Sequence, residues 1–279
     1  MRGPTRSRHC KSRHSRRKVS KITHRRTEIR FGHSESPTAP ASRGCKRRAA
    51  GPTIQAMASE DPPTARLTRA FFARPVLEVA PELLGCIISH AGVSVRLTEV
   101  EAYDGSNDPG SHAFRGPTPR TRAMFGEPGG LYVYFTYGMH WCANLVCGSV
   151  GVANAVLMRA GEVVDGLELA VGRRPGVIGR DLARGPARLA KTLALGRDQN
   201  GLDTISADSA FVARAPNSCP SSGHPRPIVR TGPRVGVSGR GGDAAAYPWR
   251  FWLAGEATVS TYRPATSRRP KPAVRNSGQ

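Results

Sequence analysis

Residues 98–144 read TEVEAYDGSNDPGSHAFRGPTPRTRAMFGEPGGLYVYFTYGMHWCAN. The two ends of this stretch are strand-like, and its middle is not. Cys86–His90 and Val93–Tyr103 alternate as β-strands joined by a tight Ala91-Gly92 turn. Leu131–Val146 is a dense strand pattern broken at Gly138, and Ala153–Val164 is a further strand. Asp104–Gly130 between them is polar and rich in Gly and Pro, a loop long enough to suggest function. Upstream, Leu67–Gly85 carries apolar residues at helical spacing interrupted by Pro75 and Pro81, so two short helices or a helix and a turn are expected. Downstream, Leu182–Leu195 is the clearest helix, with Pro186 suited to a first helical position and Gly196 just past the end. Asp208–Gly232 reads as a loop, and Arg234–Ser238 and Trp249–Thr261 as closing strands. Strands without regular βαβ alternation predict one compact α+β domain on a largely antiparallel sheet with flanking helices.

The chain has 279 residues and a formal net charge of +22, which directs attention to an anionic partner. That charge is uneven. The first 56 residues hold 16 of the 42 Lys/Arg and 2 of the 20 Asp/Glu, leaving 26 against 18 for the remainder. Residues 1–60 are expected to be a disordered basic tail, because they have too little apolar surface to offset the entropy of ordering. Such a tail reads as a nucleic-acid arm, as a transit-like peptide, or as a segment outside the native protein, with translation starting at Met57. Residues 61–266 form the expected domain and 267–279 a second disordered basic tail. Six cysteines without framework spacing, and no visible secretory signal, point to reduced thiols inside a cell. No apolar run approaches the roughly 20 residues of a membrane span.

Glu99 and Glu101 sit two apart on one strand and so share a face. A carboxylate at a strand end opening onto a polar loop suits a general base acting on water; the alternative is a pair of solvated strand residues. Tyr132 and Tyr134 share a face, whereas Tyr137 lies out of phase against Gly138, where a hairpin can turn. An aromatic there suits wedging between stacked bases; the alternative is ordinary core packing. His112 lies in the loop near Tyr103. Arg115, Arg120 and Arg122, with Ser111 and Thr118, form a cluster of the types that contact phosphates; the bland reading is a solubilising loop. His140, Cys142 and Cys147 match no zinc spacing, and neither a Walker loop nor a dinucleotide fingerprint is present, so no metal or cofactor is expected.

Taken together, EVEAY, His112, TPRTRAMF, PGGLYVYFTYGM, the Cys142…Asn144 pair, VLMRA, LARGPARLAK, PRVGV and WRFW resemble the 3-methyladenine (N-methylpurine, alkyladenine) DNA glycosylase family across about residues 64–263. The resemblance implies a curved sheet with a protruding, DNA-intercalating β-hairpin. It also implies a monofunctional enzyme of base excision repair, which flips alkylated or deaminated purines (3-methyladenine, 7-methylguanine, hypoxanthine) out of duplex DNA and hydrolyses the N-glycosidic bond to leave an abasic site. Carried onto this sequence, Glu101 is the base that activates water, Arg159 helps hold that water, and the Val235 carbonyl is another water contact. Tyr103, His112 and Tyr134 would sandwich the flipped base, and Asn144 would disfavour the 2-amino group of guanine. Tyr137 would fill the vacated gap, and Thr118, Arg120, Arg122 and Met139 would touch the DNA backbone. His140 stands where an aromatic is usual. The implied protein is an intracellular, DNA-associated monomer whose partner is double-stranded DNA with damaged purines, without cofactor, lyase step or membrane contact. Two competing readings are a catalytically silent nucleic-acid-binding protein on the same scaffold and, from the basic tail, an RNA- or ribosome-associated factor.

Overall fold

The computed structural model describes residues 65–216 and 227–265. Both expected tails lie outside the described residues, as do Cys10, Cys45 and Cys219. Two short helices, α1 (Arg69–Phe72) and α2 (Val76–Glu82), lead into the strands β1 (Ile87–His90) and β2 (Val93–Asp104). Then come β3 (Leu131–Thr136), β4 (His140–Cys147), β5 (Asn154–Asp165), α3 (Leu167–Arg173) and α4 (Pro186–Thr192). Three short strands finish the list: β6 (Val212–Arg214), β7 (Val229–Gly232) and β8 (Arg250–Leu253). They make one eight-stranded antiparallel sheet in the order β3-β4-β5-β2-β1-β6, with β8 pairing β2 and β7 beside that path. This is the α+β architecture expected from the sequence.

The long β2–β5 pair carries three irregularities, one near its start at Ser94/Val95 and two in mid-strand that offset each other. Leu97 faces Gly161, Glu99 faces Ala160 and Val100 faces Met158, so Thr98 is an extra residue on β2 and Arg159 an extra residue on β5. Each bulge reverses which face the alternation serves. Before Thr98 the odd positions Val93, Val95 and Leu97 enter the core; after it the even positions Val100 and Ala102 do. The odd positions Glu101 and Tyr103 are thereby turned to the other face, where they line a cavity. On β5, Val156 and Met158 belong to the core, and Leu157 and Arg159 line the same cavity.

Several boundaries differ from expectation. The helix within 182–195 spans only Pro186–Thr192, and Ala194 takes a left-handed φ of 53° as the chain turns away. Arg234–Ser238 is a turn rather than a strand, because the Val235 N–H bonds the buried Glu101 carboxylate and not a ladder partner. The last expected strand is confined to Arg250–Leu253. Two strands, β6 and β7, lie inside the expected loop 208–232; each is four residues or fewer, too short for alternation to register.

Candidate active site

One cross-strand row runs through the site. Tyr132 on β3 faces Asn144 on β4, Asn144 faces Leu157 on β5, Leu157 faces Glu101 on β2, and Glu101 faces Arg250 on β8. Directly opposed residues share a sheet face, so five strands place these side chains on one floor. All of them but Arg250 line a cavity of about 380 Å³, within the usual range for small-ligand sites. Its walls are Tyr103, His112 and Tyr134 on one side and Val235–Ser238 on another.

Glu101 is fully buried yet well supplied with donors, not a solvated strand residue. Its Oε1 accepts the Val235 backbone N–H at 2.7 Å and lies 3.2 Å from Arg159 Nη1; its Oε2 accepts the Tyr103 hydroxyl at 2.8 Å. Burial and the adjacent Glu101 charge push the Tyr103 phenol well above its ordinary range, so it stays a donor. Glu99 is also fully buried and binds Arg159 Nε at 2.8 Å and Arg250 Nε at 2.7 Å. Burial alone would raise the Glu99 pKa, but Arg159 and Arg250 outweigh it and hold the carboxyl below its ordinary value. The same two carboxylates overcome the desolvation of Arg159 and raise its pKa.

The aromatic wall is a cluster. His112 meets Tyr134 edge-on at 4.6 Å between ring centres, and Tyr132 stacks on Tyr134 at 5.4 Å. His112 Nδ1 lies 3.2 Å from the Tyr132 hydroxyl. Desolvation, helped by Arg120, lowers the His112 pKa to about 4, so the ring is neutral at physiological pH. Arg120 lies over the Tyr134 ring at 5.4 Å. Asn144 is buried and donates from Nδ2 to the Tyr132 carbonyl at 3.0 Å.

Strands β3 and β4 form a hairpin, closed by Thr136 opposite His140. Tyr137 and Gly138 both have positive φ, 51° and 68°, and Met139 N–H returns to the Thr136 carbonyl. Glycine takes this conformation at no steric cost; tyrosine does so only under constraint. Tyr137 is 82% exposed and Met139 67%, and Tyr137 also borders the cavity. Thr118 and Arg122 are exposed on the preceding loop. The structure thus brings Glu101, Tyr103, His112, Tyr134, Tyr137, Asn144, Arg159 and Val235 around one space, and leaves Thr118, Arg120, Arg122 and Met139 outside its lining.

Two residues of the site's construction, Asp108 and Arg234, have a pairing that the sequence does not signal. Arg234 is fully buried and pairs with both oxygens of buried Asp108, one of them at 2.7 Å. It also donates to the Ala102 and Gly241 carbonyls and lies 4.6 Å over the Tyr103 ring and 5.3 Å from the Trp249 ring. This holds the Val235 turn against the cavity. Gly110 and Gly241 permit the approach, since a Cβ on Gly241 would meet the Gly110 nitrogen at 2.2 Å. Asp108 and Arg234 are 126 residues apart, so only the fold joins them. Among the described residues no three His, Cys, Asp or Glu side chains converge as metal ligands would. No described helix is long and apolar enough to cross a membrane.

A family model described as methylpurine-DNA glycosylase matches residues 70–257. The chain is 52% identical over 207 residues to a protein of Frankia casuarinae, covering 72% of this chain and 94% of that one. It is 52% identical over 210 residues to one of Streptomyces avermitilis, covering 73% and 94%. A protein of Burkholderia lata is 46% identical over 200 residues, covering 71% and 92%. Each of the three bears the name "Putative 3-methyladenine DNA glycosylase". A match of this extent, over a site built around a buried carboxylate, identifies the chain as a member of the methylpurine-DNA glycosylase family, DNA-repair hydrolases that act on N-glycosyl bonds.

Proposed function

We propose that the protein turns an alkylated or deaminated purine nucleotide out of duplex DNA into the cavity beside Glu101 and hydrolyses its N-glycosidic bond, leaving an abasic site. The substrates are of the 3-methyladenine, 7-methylguanine and hypoxanthine class. The observation that carries this reading is the hydrogen bonding of Glu101. A carboxylate has about four acceptor sites; two are occupied by Val235 and Tyr103, and Arg159 forms an ion pair with the same group. Acceptor capacity remains to take a proton from water.

Glu101 is the general base, and its charge also stabilises the oxocarbenium-like sugar as the bond breaks. Arg159 and the Val235 main chain fix the carboxylate and the water. Tyr103, His112 and Tyr134 grip the base. An alkylated purine is already cationic, so aromatic faces attract it, and a neutral His112 does not repel it. Asn144 stands on the cavity floor, where it excludes the 2-amino group of guanine. Tyr137 enters the duplex from the hairpin tip as the nucleotide leaves. Thr118, Arg120, Arg122 and Met139 meet the backbone. Residues 61–266 act as a monomer, with basic tails that add nonspecific DNA affinity.

The test is a duplex holding one 3-methyladenine or hypoxanthine. The wild-type chain should yield an alkali-labile abasic site. Glu101→Gln should slow excision by about 10²–10⁴-fold while DNA affinity is kept. Failure to release any alkylated or deaminated purine would defeat the proposal in favour of a silent DNA-binding protein.

A further inference from the structure

We propose that Glu99 and Ser260 are positioning residues for excision: they fix the Arg159 guanidinium beside Glu101 and share out its charge. The inference rests on Glu101 being the base. Every nitrogen of Arg159 has a different partner. Nε donates to Glu99 at 2.8 Å, Nη1 lies 3.2 Å from Glu101, and Nη2 donates to the Ser260 hydroxyl at 3.3 Å. Glu99 Oε1 also accepts Arg250 Nε at 2.7 Å and the Ser260 hydroxyl at 2.8 Å, and its Oε2 accepts the Ser260 N–H at 2.7 Å. The guanidinium cannot swing without breaking a buried, charge-assisted bond.

Ser260 belongs to a short strap just beyond the family match, which ends at residue 257. The strap is tied down at four consecutive residues. Thr258 bonds Thr98 at 2.8 Å, Val259 accepts Arg184 at 3.0 Å, Ser260 accepts Arg250 at 2.7 Å, and Thr261 accepts Arg184 at 3.4 Å. It therefore closes over the Thr98 bulge and completes the surroundings of Glu99.

The charge balance sets the consequence. Arg159 and Arg250 face Glu99 and Glu101, two charges against two. The other groups facing Glu101 are Tyr103 from its own strand, Arg234 from the loop, and Tyr134 and Cys142 from the hairpin. Removing the charge of Glu99 leaves an excess of positive charge beside Glu101. That excess opposes uptake of a further proton at the site and so shifts the pH profile of excision.

The experiment is single-turnover excision of 3-methyladenine or hypoxanthine by the full chain as a function of pH, with affinity measured on an abasic-site duplex. Glu99→Gln should lower the plateau rate by about 10- to 100-fold, as for loss of a charged hydrogen bond. Its acid limb should move to lower pH, and affinity should stay within about 3-fold; a change confined to folding would not move the limb. Ser260→Ala should lower the rate by about 3- to 10-fold, and Ser260→Thr should restore it. A wild-type plateau and limb in Glu99→Gln overturns the inference. Should that variant fail to fold, wild-type rates in Ser260→Ala overturn it equally. If Glu101→Gln itself excises normally, the reading of Glu101 as base has failed; if it is inactive while Glu99→Gln and Ser260→Ala are unaffected, only the present inference has.

Discussion

Val235 donates its backbone N–H to Glu101 at 2.7 Å, across 134 residues of chain. Nothing in the Val235 turn is long enough or apolar enough to hold itself there. The anchor is the residue before it, Arg234, locked to Asp108.

That anchor predicts a joint loss of stability and activity. Asp108→Asn leaves the Arg234 guanidinium buried and poorly paired, at a cost of about 3–5 kcal/mol. Urea unfolding should show the drop. Excision should fall even where the variant is fully folded, because the Val235 N–H is no longer held on Glu101. A folded Asp108→Asn variant with unchanged activity would show that the turn positions itself.

The hairpin tip predicts the opposite separation. Tyr137 is largely exposed, so Tyr137→Ala should leave the melting temperature within a degree or two of wild type. Loss of base stacking is worth roughly 1–3 kcal/mol, so affinity for lesion-bearing duplex should weaken about 5- to 100-fold. Binding isotherms on duplex DNA decide this, and equal affinity would remove Tyr137 from the interface.

Arg122→Ala should weaken binding to damaged and undamaged DNA alike. It should reduce the slope of log K against log salt by about 0.9, the signature of one lost phosphate contact. Arg120→Ala should differ, because its guanidinium also covers the Tyr134 ring. That variant should additionally lose discrimination between lesion and normal base.

Glu99 gives a pH dependence of stability with a definite sign. Its folded pKa lies below the ordinary 4.5, chiefly through Arg159 and Arg250 acting against burial. Its stabilising contribution is therefore complete above about pH 4.5 and is lost as pH falls through the lower folded value. Denaturant midpoints from pH 7 to pH 3 should fall in that window for wild type, and Glu99→Gln should start lower and fall less. Parallel curves for the two proteins would contradict the assignment.

Much of this site was legible in the sequence because its parts lie on alternating strands. Asn144 and Glu101 both pair with Leu157 on β5, Tyr134 lies opposite Cys142 on the neighbouring strand, and Gly138 marks the turn that exposes Tyr137. Tyr132 was within reach too, since it shares Tyr134's face. What escaped is what alternation does not encode. Arg234 and Asp108 meet only through tertiary structure. The strands β6 and β7 are too short for periodicity. Spacing alone does not tell Glu99 from Glu101, because a sequence does not show that two arginines and a serine converge on Glu99.

The paired irregularities at Thr98 and Arg159 act like two frameshifts that cancel. A single β2 strand supplies hydrocarbon from its odd positions in one half and acid chemistry from its odd positions in the other. Deleting Thr98 alone would leave the irregularity at Arg159 uncompensated and slip one half of β2 by one residue against β5. One threonine thus keeps both halves of β2 in step with a single β5 partner.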